Sequence, residues 1–491
     1  MSRTTYVTTA IAYVNGDPHL GHALEFVQTD VLARHRRLRG DDVRHLSGTD
    51  DNALKNVQAA DAAGLPVADF VSARADRFAA LRGPLELSHD DFIRTSTDPR
   101  HRPGVERLWR ACDAAGDLEP RDYTGLYCTG CEAFLDEDGL VDGLCLEHER
   151  PPEAARERNW FFRLSRHGQR LGRLISSGEL DVTPAHRRNE VLALIAGGLT
   201  DFSVSRPAER ARGWGVPVPG DPGQVVYVWF DALANYITAL GFGDGDAGYE
   251  HWWRGSDERI HMVGKGITRF HAVYWPAILL SAGEPLPTRI LVHDYLTADG
   301  RKLSKSLGNA VGPEELVDRY GADALRWWLV RDVPRSGDAD FRDPQLARRA
   351  NELADGLGNL VARTLALAAR STVEPRTPAG SPTTAWPPPS RACRPRSTPR
   401  SRGTTCGRRR RPSGRWSRRR TGTSPRHAHG SWTGRRETRS SRTSWRRAPW
   451  SPASSSRSFP AAPPGSRPRS HSAIRRSRAG CSRSRPGPAT I

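Results

Sequence analysis

The sequence predicts an α/β protein built on a parallel sheet and followed by a long, disordered C-terminal tail. Short segments rich in β-branched and aromatic residues alternate with segments whose apolar residues recur at helical spacing. Turn residues such as Asn15-Gly16-Asp17-Pro18 separate the two kinds of segment. Residues 381–491 contain no Leu, Val, Met or Tyr, so they cannot bury enough apolar surface to offset the entropy of ordering.

The first strand and helix set the pattern for the elements that follow. Residues 5–14 are predicted to form one buried strand, and residues 20–39 a helix with Leu20, Leu24 and Val27 on its apolar face. Further strands are expected at 43–47, 225–229, 260–263 and 289–293, and further helices at 53–63, 187–196, 270–282 and 344–370.

The net charge of +19 is divided unevenly along the chain. Residues 381–491 carry 28 Arg and one acidic residue, Glu437, which gives +27, so the preceding 380 residues carry −8. A uniformly basic protein is therefore excluded, and the total charge gives no support to nucleic-acid binding by the body.

No targeting or membrane segment is expected. The N-terminus lacks a charged head followed by an apolar run, and no window approaches the ~20 apolar residues that span a bilayer. Seven cysteines are too few for a disulfide scaffold in a chain of this length. We therefore expect a cytoplasmic protein with thiols.

The first motif that carries chemistry is Pro18-His19-Leu20-Gly21-His22, at the predicted turn from strand to helix. Backbone N–H groups and the positive helix end at such a turn can hold a phosphate. His19 and His22 lie on one face of the helix start, where they can donate hydrogen bonds to a polyphosphate. Gly21 lets a flat ligand approach the backbone. A surface histidine pair and a metal site are the alternatives.

The second motif is Arg301-Lys302-Leu303-Ser304-Lys305-Ser306-Leu307-Gly308-Asn309. The chain has only four lysines, at 55, 265, 302 and 305, whereas residues 1–380 hold 42 arginines. A mobile loop with two lysines can clamp pyrophosphate as charge develops. The alternative is a solvated charge run, which the scarcity of lysine disfavours.

The third motif is a cysteine knuckle within residues 121–152, which interrupt the α/β alternation. Cys128, Cys131, Cys145 and His148 have the spacing of a tetrahedral zinc site. Four ligands leave no open coordination position, so the zinc would be structural. Cys112 lies outside the spacing and is interpreted as a small buried hydrophobe.

Two aromatic stretches complete the set of motifs. Residues 227–236 contain Tyr227, Trp229 and Tyr236, and a second stretch begins with Phe270-His271. Taken alone, such a cluster is more often core than pocket, and His271 could be a satisfied core histidine.

Together, the His-x-Gly-His turn and the Lys-x-Ser-Lys-Ser loop resemble the signatures of class I aminoacyl-tRNA synthetases. The details are similar to the methionyl-tRNA synthetase family over about residues 4–370. The stretches that carry the resemblance are Ala12–Gly16, the single cysteine knuckle, Tyr227–Ala232 and Phe270–Pro276.

The resemblance implies a split Rossmann-type catalytic domain and an order of domains. These are the first half of the Rossmann domain (1–115), a connective insertion with the zinc knuckle (116–186), the second half (187–298), the lysine loop with a linker module (299–343), the start of a truncated α-helical anticodon-binding domain (344–380) and the tail (381–491).

The resemblance also implies a methionine–tRNA ligase that uses ATP with Mg²⁺ and holds a structural Zn²⁺. His19 and His22 would stabilise the ATP phosphates, and Lys302 and Lys305 would clamp them, with Gly21 and Ser304 completing the ATP site. Asp50 would hold the substrate ammonium. The pocket for the thioether would be lined by Ile11, Tyr13, Trp229, Tyr236 and His271.

Three departures from the family pattern concern the active centre or its lysine loop. Asp51-Asn52-Ala53 stand where the family has Glu-His-Gly, and Gly264-Lys265-Gly266 replaces Gly-Lys-Asp, which removes a carboxylate. The lysine loop has Leu303 in place of Met, a swap that nearly conserves volume. A divergent or inactive paralogue, tolerant of inhibitors or regulatory, is therefore the alternative function. The short insertion has no room for a large editing domain, which argues against a ligase for isoleucine, valine or leucine.

The tail has two interpretations. It could be an Arg-rich RNA-binding arm, or the product of a frameshift near codons 380–386. Residues 415–432, back-translated with GC-rich codons and read two bases later, give one sequence that resembles the family's anticodon domain. We therefore expect a frameshift, and we expect recognition of the tRNA anticodon to be impaired.

Overall fold

The structure is a computed structural model, and it describes residues 2–128, 133–135, 140–146, 150–243, 245, 247–298, 300–303 and 311–370. The predicted α/β class is confirmed, because helices flank a seven-stranded sheet in which every pairing is parallel. The predicted tail, 381–491, lies outside the described residues. None of the helices within the described ranges is long and apolar enough to cross a membrane.

The parallel sheet has the order β10-β16-β15-β1-β3-β2, and β4 also pairs with β3. Its strands come from two separate stretches of the chain, residues 4–94 and 181–293. They are β1 (Thr4–Thr9), β2 (Ala12–Tyr13), β3 (Asp42–Asp50), β4 (Asp91–Arg94), β10 (Asp181–Thr183), β15 (Glu258–Gly264) and β16 (Arg289–His293). The strand order reverses between β1 and β15, and such a switch point opens a crevice at the carboxyl ends of the strands.

Helices cover both faces of this sheet, and most residues of the central strands β1 and β3 are therefore buried, polar threonines included. The N-terminal half contributes α1 (Leu20–Leu38), α2 (Leu54–Ala63), α3 (Val67–Ala80) and α4 (His101–Ala114). The later part contributes α5 (Gly168–Ser177), α6 (Ala185–Ala196), α7 (Val228–Thr238) and α9 (Trp275–Ala282), besides the short α8 (Ala247–Tyr249). One core cluster includes Tyr6, Trp109 and Phe230, and the other includes Leu24 and Phe78.

A second sheet has four antiparallel strands in the order β11-β9-β5-β6. It consists of β5 (Leu118–Cys128), β6 (Ala133–Leu135), β9 (Glu153–Phe162) and β11 (Phe202–Ser203), with a small hairpin of β7 (Leu140–Val141) and β8 (Leu144–Cys145) between β6 and β9. In the sequence, β5, β6 and β9 lie between β4 and β10 of the main sheet, and β11 follows β10. A further three-stranded sheet comprises β12 (Ser205–Pro207), β13 (Pro217–Val218) and β14 (Asp221–Val226). The second Rossmann half is predicted to start at residue 187. Strand β10, which pairs with β16 in the main sheet, lies before that residue.

Within the described residues after β16 there are a small sheet and four α-helices. The sheet contains β17 (Leu296–Ala298), β18 (Arg301–Lys302) and β19 (Ala339–Phe341), and the helices are α10 (Pro313–Tyr320), α11 (Ala322–Arg331), α12 (Asp343–Leu353) and α13 (Asn359–Arg370). A π-helical segment at Ala354–Gly358 joins α12 to α13, so the helix predicted at 344–370 has one irregular turn. Helix α13 buries no residue, and Leu360 and Leu365 are 64% and 65% exposed.

Most of the other predicted elements are confirmed within one or two residues, and two need correction. The strand predicted at 5–14 breaks at Ala10-Ile11, because the Ala10 N–H donates to Glu25 Oε1 as well as to the Met262 carbonyl. The strand predicted at 225–229 ends at Val226, and Trp229 belongs to α7. Every residue of α7 is buried. Its polar residues Asp231, Asn235 and Thr238 recur at helical spacing, but they follow the β-branched and aromatic run 225–229 that favoured a strand.

Candidate active site

The site forms where the carboxyl ends of β1, β3, β15 and β16 meet. Ile11 follows β1, Asp50 ends β3, and Gly264 ends β15, so residues far apart in the sequence share one edge of the sheet. This edge lies at the switch point of the strand order, where ligands bind in open α/β sheets.

His19 and His22 begin α1 and cap it reciprocally. Gly21 N–H donates to His19 Nδ1 at 3.1 Å, and His19 N–H donates to His22 Nδ1 at 3.1 Å. The two rings stack with their centroids 3.8 Å apart. Because both Nδ1 atoms accept backbone hydrogen bonds, each neutral ring carries its proton on Nε2, the nitrogen turned away from the cap.

Gly21 has a steric reason to be glycine. A Cβ built on Gly21 would lie 2.9 Å from His19 Cε1 and 3.0 Å from its Nδ1. Any larger residue would therefore force the His19 ring to shift.

The predicted pocket residues Ile11, Tyr13, Asp50, Trp229, Tyr236 and His271 all line one small cavity, to which Ala10, Leu233 and Ile267 also contribute. The Trp229 ring stacks flat on Phe270 with centroids 3.8 Å apart, and the Tyr13 ring meets Trp229 edge-on. Asp50 is only 2% exposed. The structure thus brings an aromatic wall and a buried carboxyl group to the same cavity.

Hydrogen bonds fix the protonation of His271 in this cavity. Its Nδ1 lies 2.9 Å from the Ile267 carbonyl, which can only accept, so Nδ1 carries the proton and Nε2 accepts from the Tyr236 hydroxyl at 2.8 Å. Burial lowers the pKa of His271 to about 4, although the Ile267 carbonyl opposes this shift. His271 is therefore a neutral wall of the pocket at physiological pH.

The residues that depart from the family pattern after Asp50 make specific contacts. Asn52 Nδ2 donates to Asp231 Oδ2 at 2.8 Å, and the other oxygen of Asp231 lies 3.0 Å from His101 Nε2. Asp51 accepts from the Ser96 hydroxyl at 2.7 Å. Burial raises the pKa of Asp51 against the opposing effect of its hydrogen bonds. Asn52 thereby ties the segment after Asp50 to α7, the helix that carries Trp229 and Tyr236.

Glu25 is a residue of the site that the sequence did not single out. Its Oε1 accepts from the Ala10 N–H at 2.7 Å, and its Oε2 lies 3.0 Å from His293 Nε2. Burial alone would lower the pKa of His293, but the hydrogen bond and charge of Glu25 outweigh burial and raise it. The Glu25 side chain thus joins the ends of β1 and β16 to α1. Nothing in the local sequence distinguishes Glu25 from a surface glutamate.

The scarcity of lysine could have identified two further residues. Lys55 Nζ lies 3.6 Å from the centroid of the Tyr13 ring, and Lys265 Nζ donates to Asp338 Oδ1 at 2.6 Å. Lys302 ends β18 and pairs there with Thr297. The Lys302 side chain and the predicted residues Ser304 and Lys305 lie outside the described residues.

The predicted zinc ligands are described only in part. Cys128 ends β5 and Cys145 ends β8, and they are 4% and 2% exposed, whereas Cys131 and His148 lie outside the described residues. Among the residues that the structure describes, no group of three or more metal-binding side chains occurs. Cys112 is fully buried, and burial raises the pKa of its thiol to about 12, as its interpretation as a small hydrophobe implies.

Comparisons with known proteins agree with this arrangement. Residues 5–151 and 138–365 match the family model described as tRNA synthetases class I (M). The chain is 45% identical to the methionine–tRNA ligase of Mycobacterium bovis over 372 residues, 74% of this chain and 70% of the relative. It is 41% identical to the methionine–tRNA ligase of Thermotoga maritima, with 74% of this chain and 57% of the relative covered.

A solved structure of a methionyl-tRNA synthetase has a similar fold. The Mycobacterium tuberculosis methionyl-tRNA synthetase in complex with methionyl-adenylate matches with a TM-score of 0.71 and 44% identity, covering 75% of this chain and 72% of that one. The fold, the site at the carboxyl edge and these similarities agree, and the chain belongs to the methionyl-tRNA synthetase family of class I tRNA synthetases.

Proposed function

We propose that this chain is a methionine–tRNA ligase, which activates methionine with ATP and transfers it to tRNA. The observation that carries the proposal is an aromatic cavity that contains Asp50, together with the capped histidine pair at the start of α1, at the same edge of the sheet. Membership of the family and the relatives named methionine–tRNA ligase support it. We expect the protein to act in the cytoplasm, where translation takes place.

Methionine fits the chemistry of the cavity. Asp50, 2% exposed, offers a carboxylate to the substrate ammonium, and the pair offsets the desolvation of both charges. The thioether would lie against Tyr13, Trp229 and Tyr236, where each sulfur–aromatic contact contributes about 0.3–1.5 kcal/mol. A neutral His271 places no charge against the sulfur. Such a pocket rejects a methylene-sized error by only ~1–3 kcal/mol, so shape must supply most of the selectivity.

The activation step would proceed next to the start of α1. A carboxylate oxygen of methionine attacks the α-phosphorus of ATP, the bond to the bridging oxygen breaks, and pyrophosphate leaves with the electron pair. His19 and His22 each present an Nε2–H, fixed by the capping hydrogen bonds, to the phosphates as charge shifts onto them. Lys302 and Lys305 would clamp the pyrophosphate, with Gly21 and Ser304 completing the ATP site and Mg²⁺ entering with ATP.

A structural zinc would be held by Cys128, Cys131, Cys145 and His148. The two described cysteines are both buried at strand ends, which suits a closed knuckle. Zinc would stabilise the insertion by cross-linking two hairpins, and it would take no part in the reaction. One zinc per chain by elemental analysis is the expected result.

The partner in the second step is tRNA, and the C-terminal part of the chain limits how it is selected. The family match ends at residue 365, and α13 leaves Leu360 and Leu365 exposed. Residues 381–491 contain no Leu, Val or Met that could pack against such a helix. We propose that a frameshift near codons 380–386 replaces the remainder of a helical anticodon-binding domain. Re-sequencing of those codons tests this, and an intact frame would refute it.

Methionine-dependent ATP–pyrophosphate exchange tests the ligase assignment directly. We expect exchange with methionine and none with isoleucine, valine or leucine. The absence of exchange with every amino acid at high enzyme concentration would favour the second candidate, an inactive or regulatory paralogue. The specific observations behind that candidate are Asn52 and Gly266, which replace a family histidine and a family carboxylate. Charging of tRNA should be weak relative to exchange, and near-normal charging would contradict the proposed loss of anticodon recognition.

A further inference from the structure

Gly266 has a side chain from elsewhere in the chain lying directly against it. A Cβ built on Gly266 would lie 2.0 Å from the Tyr295 hydroxyl oxygen and 3.3 Å from its Cζ. No side chain can occupy position 266 while Tyr295 keeps this position. The hydroxyl of Tyr295 therefore occupies the space into which the family's carboxylate would project.

Contacts on both sides hold Tyr295 in this position. Its backbone N–H donates to Asp338 Oδ1 at 2.9 Å, and the same oxygen accepts from Lys265 Nζ at 2.6 Å. The Lys265 ammonium lies 4.6 Å from the centroid of the Tyr295 ring, within the range of a cation–π interaction. A Cβ on Gly264 would make ordinary van der Waals contact with the ring edge at 3.9 Å. The ring is thus packed against the turn after β15, and Asp338 holds the backbone of Tyr295.

The location of the ring links the two motifs that the proposed function assigns to ATP. Tyr295 stands between β16 and β17, and β17 pairs with β18, which ends at Lys302. Two residues before Tyr295, His293 lies 3.0 Å from Glu25, which is one helical turn beyond His22. Tyr295 therefore follows the carboxyl end of β16, near the strand end that Glu25 joins to α1, and precedes the strand that pairs with β18.

We propose that the Tyr295 hydroxyl contacts the nucleotide and takes over the role of the carboxylate that Gly266 lacks. A phenol hydroxyl can both donate and accept a hydrogen bond, whereas a carboxylate only accepts. Gly266 and Tyr295 then depend on each other, because position 266 must be glycine while the Tyr295 hydroxyl lies against it. This inference rests on the proposed function, since it assigns Tyr295 to the ATP side of the same site.

The first test is Tyr295→Phe in the full chain, with steady-state ATP–pyrophosphate exchange as the readout. Loss of one hydrogen bond to ATP should raise the KM for ATP roughly 3- to 10-fold, with the KM for methionine within twofold of its original value. Tyr320→Phe is the matched control, because Tyr320 donates to Asp343 in the helical part that follows the lysine loop. An unchanged KM for ATP, or equal changes for both substrates, would overturn the proposal.

The second test uses the steric relation between the two positions. Gly266→Ala should displace the hydroxyl and raise the KM for ATP as Tyr295→Phe does. The double variant should be no worse than Tyr295→Phe alone, because the nearest remaining atom is then Cζ at 3.3 Å. Additive losses, or a fall in melting temperature with an unchanged KM for ATP, would make the contact a packing contact only and refute the proposal.

Direct binding of ATP separates this inference from the proposed function. Equilibrium dialysis with ATP alone should show weaker binding by Tyr295→Phe than by the unaltered chain. Equal binding refutes the role of Tyr295 even if methionine exchange is normal. Weaker binding by the variant, in a chain that exchanges no amino acid, would refute the ligase assignment and retain the nucleotide contact.

Discussion

Replacement of Tyr236 by phenylalanine removes one hydroxyl from the wall of the methionine cavity and leaves its ring in place. That hydroxyl is the donor to His271 Nε2 at 2.8 Å, and both side chains are at most 2% exposed. In the variant a water molecule can donate to Nε2 while the cavity is empty, but the methionine side chain would expel it. An unsatisfied buried acceptor costs about 1–3 kcal/mol, which corresponds to roughly a 5- to 150-fold rise in the KM for methionine.

Tyr6→Phe is the matched control for this prediction. Tyr6 is also buried, and its hydroxyl donates to the Tyr236 carbonyl at 2.9 Å, outside the cavity. Only Tyr236→Phe should therefore raise the KM for methionine in ATP–pyrophosphate exchange, with the KM for ATP unchanged. The reasoning fails if the two variants raise the KM for methionine equally, or if Tyr236→Phe leaves it within twofold.

Three further predictions concern other parts of the molecule. Gly21→Ala should lower kcat for exchange about tenfold with little change in the KM for methionine, because its Cβ would lie 2.9 Å from His19 Cε1 and force the ring to shift from its present position. An unchanged kcat would exclude this role of the ring. Glu25 raises the pKa of His293, so this pair should stabilise the fold fully below the ordinary histidine pKa and less as pH rises through the raised value. The melting-temperature difference between the unaltered chain and His293→Gln should therefore be larger at pH 6 than at pH 9, and a difference that grows with pH would contradict this. Cys145→Ala should lose the zinc detected by elemental analysis and make the insertion sensitive to proteolysis, whereas a retained zinc would refute the proposed ligand set.

The sequence predicted those parts of the fold in which periodicity and composition are strong. Helix α1 and strand β16 agree with the prediction within one residue, because each has a clear apolar period or a short β-branched run. Strands β3 and β15 are present where predicted but extend up to three and two residues farther, respectively. The sequence assigns Trp229 to a strand because residues 225–229 are all β-branched or aromatic, and this local run outweighs the helical spacing of Asp231, Asn235 and Thr238 that follows it.

The site was predictable where a motif is contiguous and less so where it depends on distant contacts. His19, Gly21 and His22 lie together in the sequence, and their motif located the start of α1. Glu25 acts through hydrogen bonds to Ala10 and His293, which are 15 and 268 residues away. Such a role depends on tertiary geometry that no local pattern encodes.

The placement of lysine has a consequence for chemical labelling. The whole chain has four lysines among 491 residues, of which Lys55 lies over Tyr13, Lys265 packs beside Tyr295, and the other two belong to the lysine loop. An amine-reactive acylating reagent would therefore modify, apart from the N-terminal amine, only positions around the proposed substrates. The number of acyl groups seen by intact-protein mass spectrometry would then report on occupancy of the site, without an engineered probe or a background of surface amines.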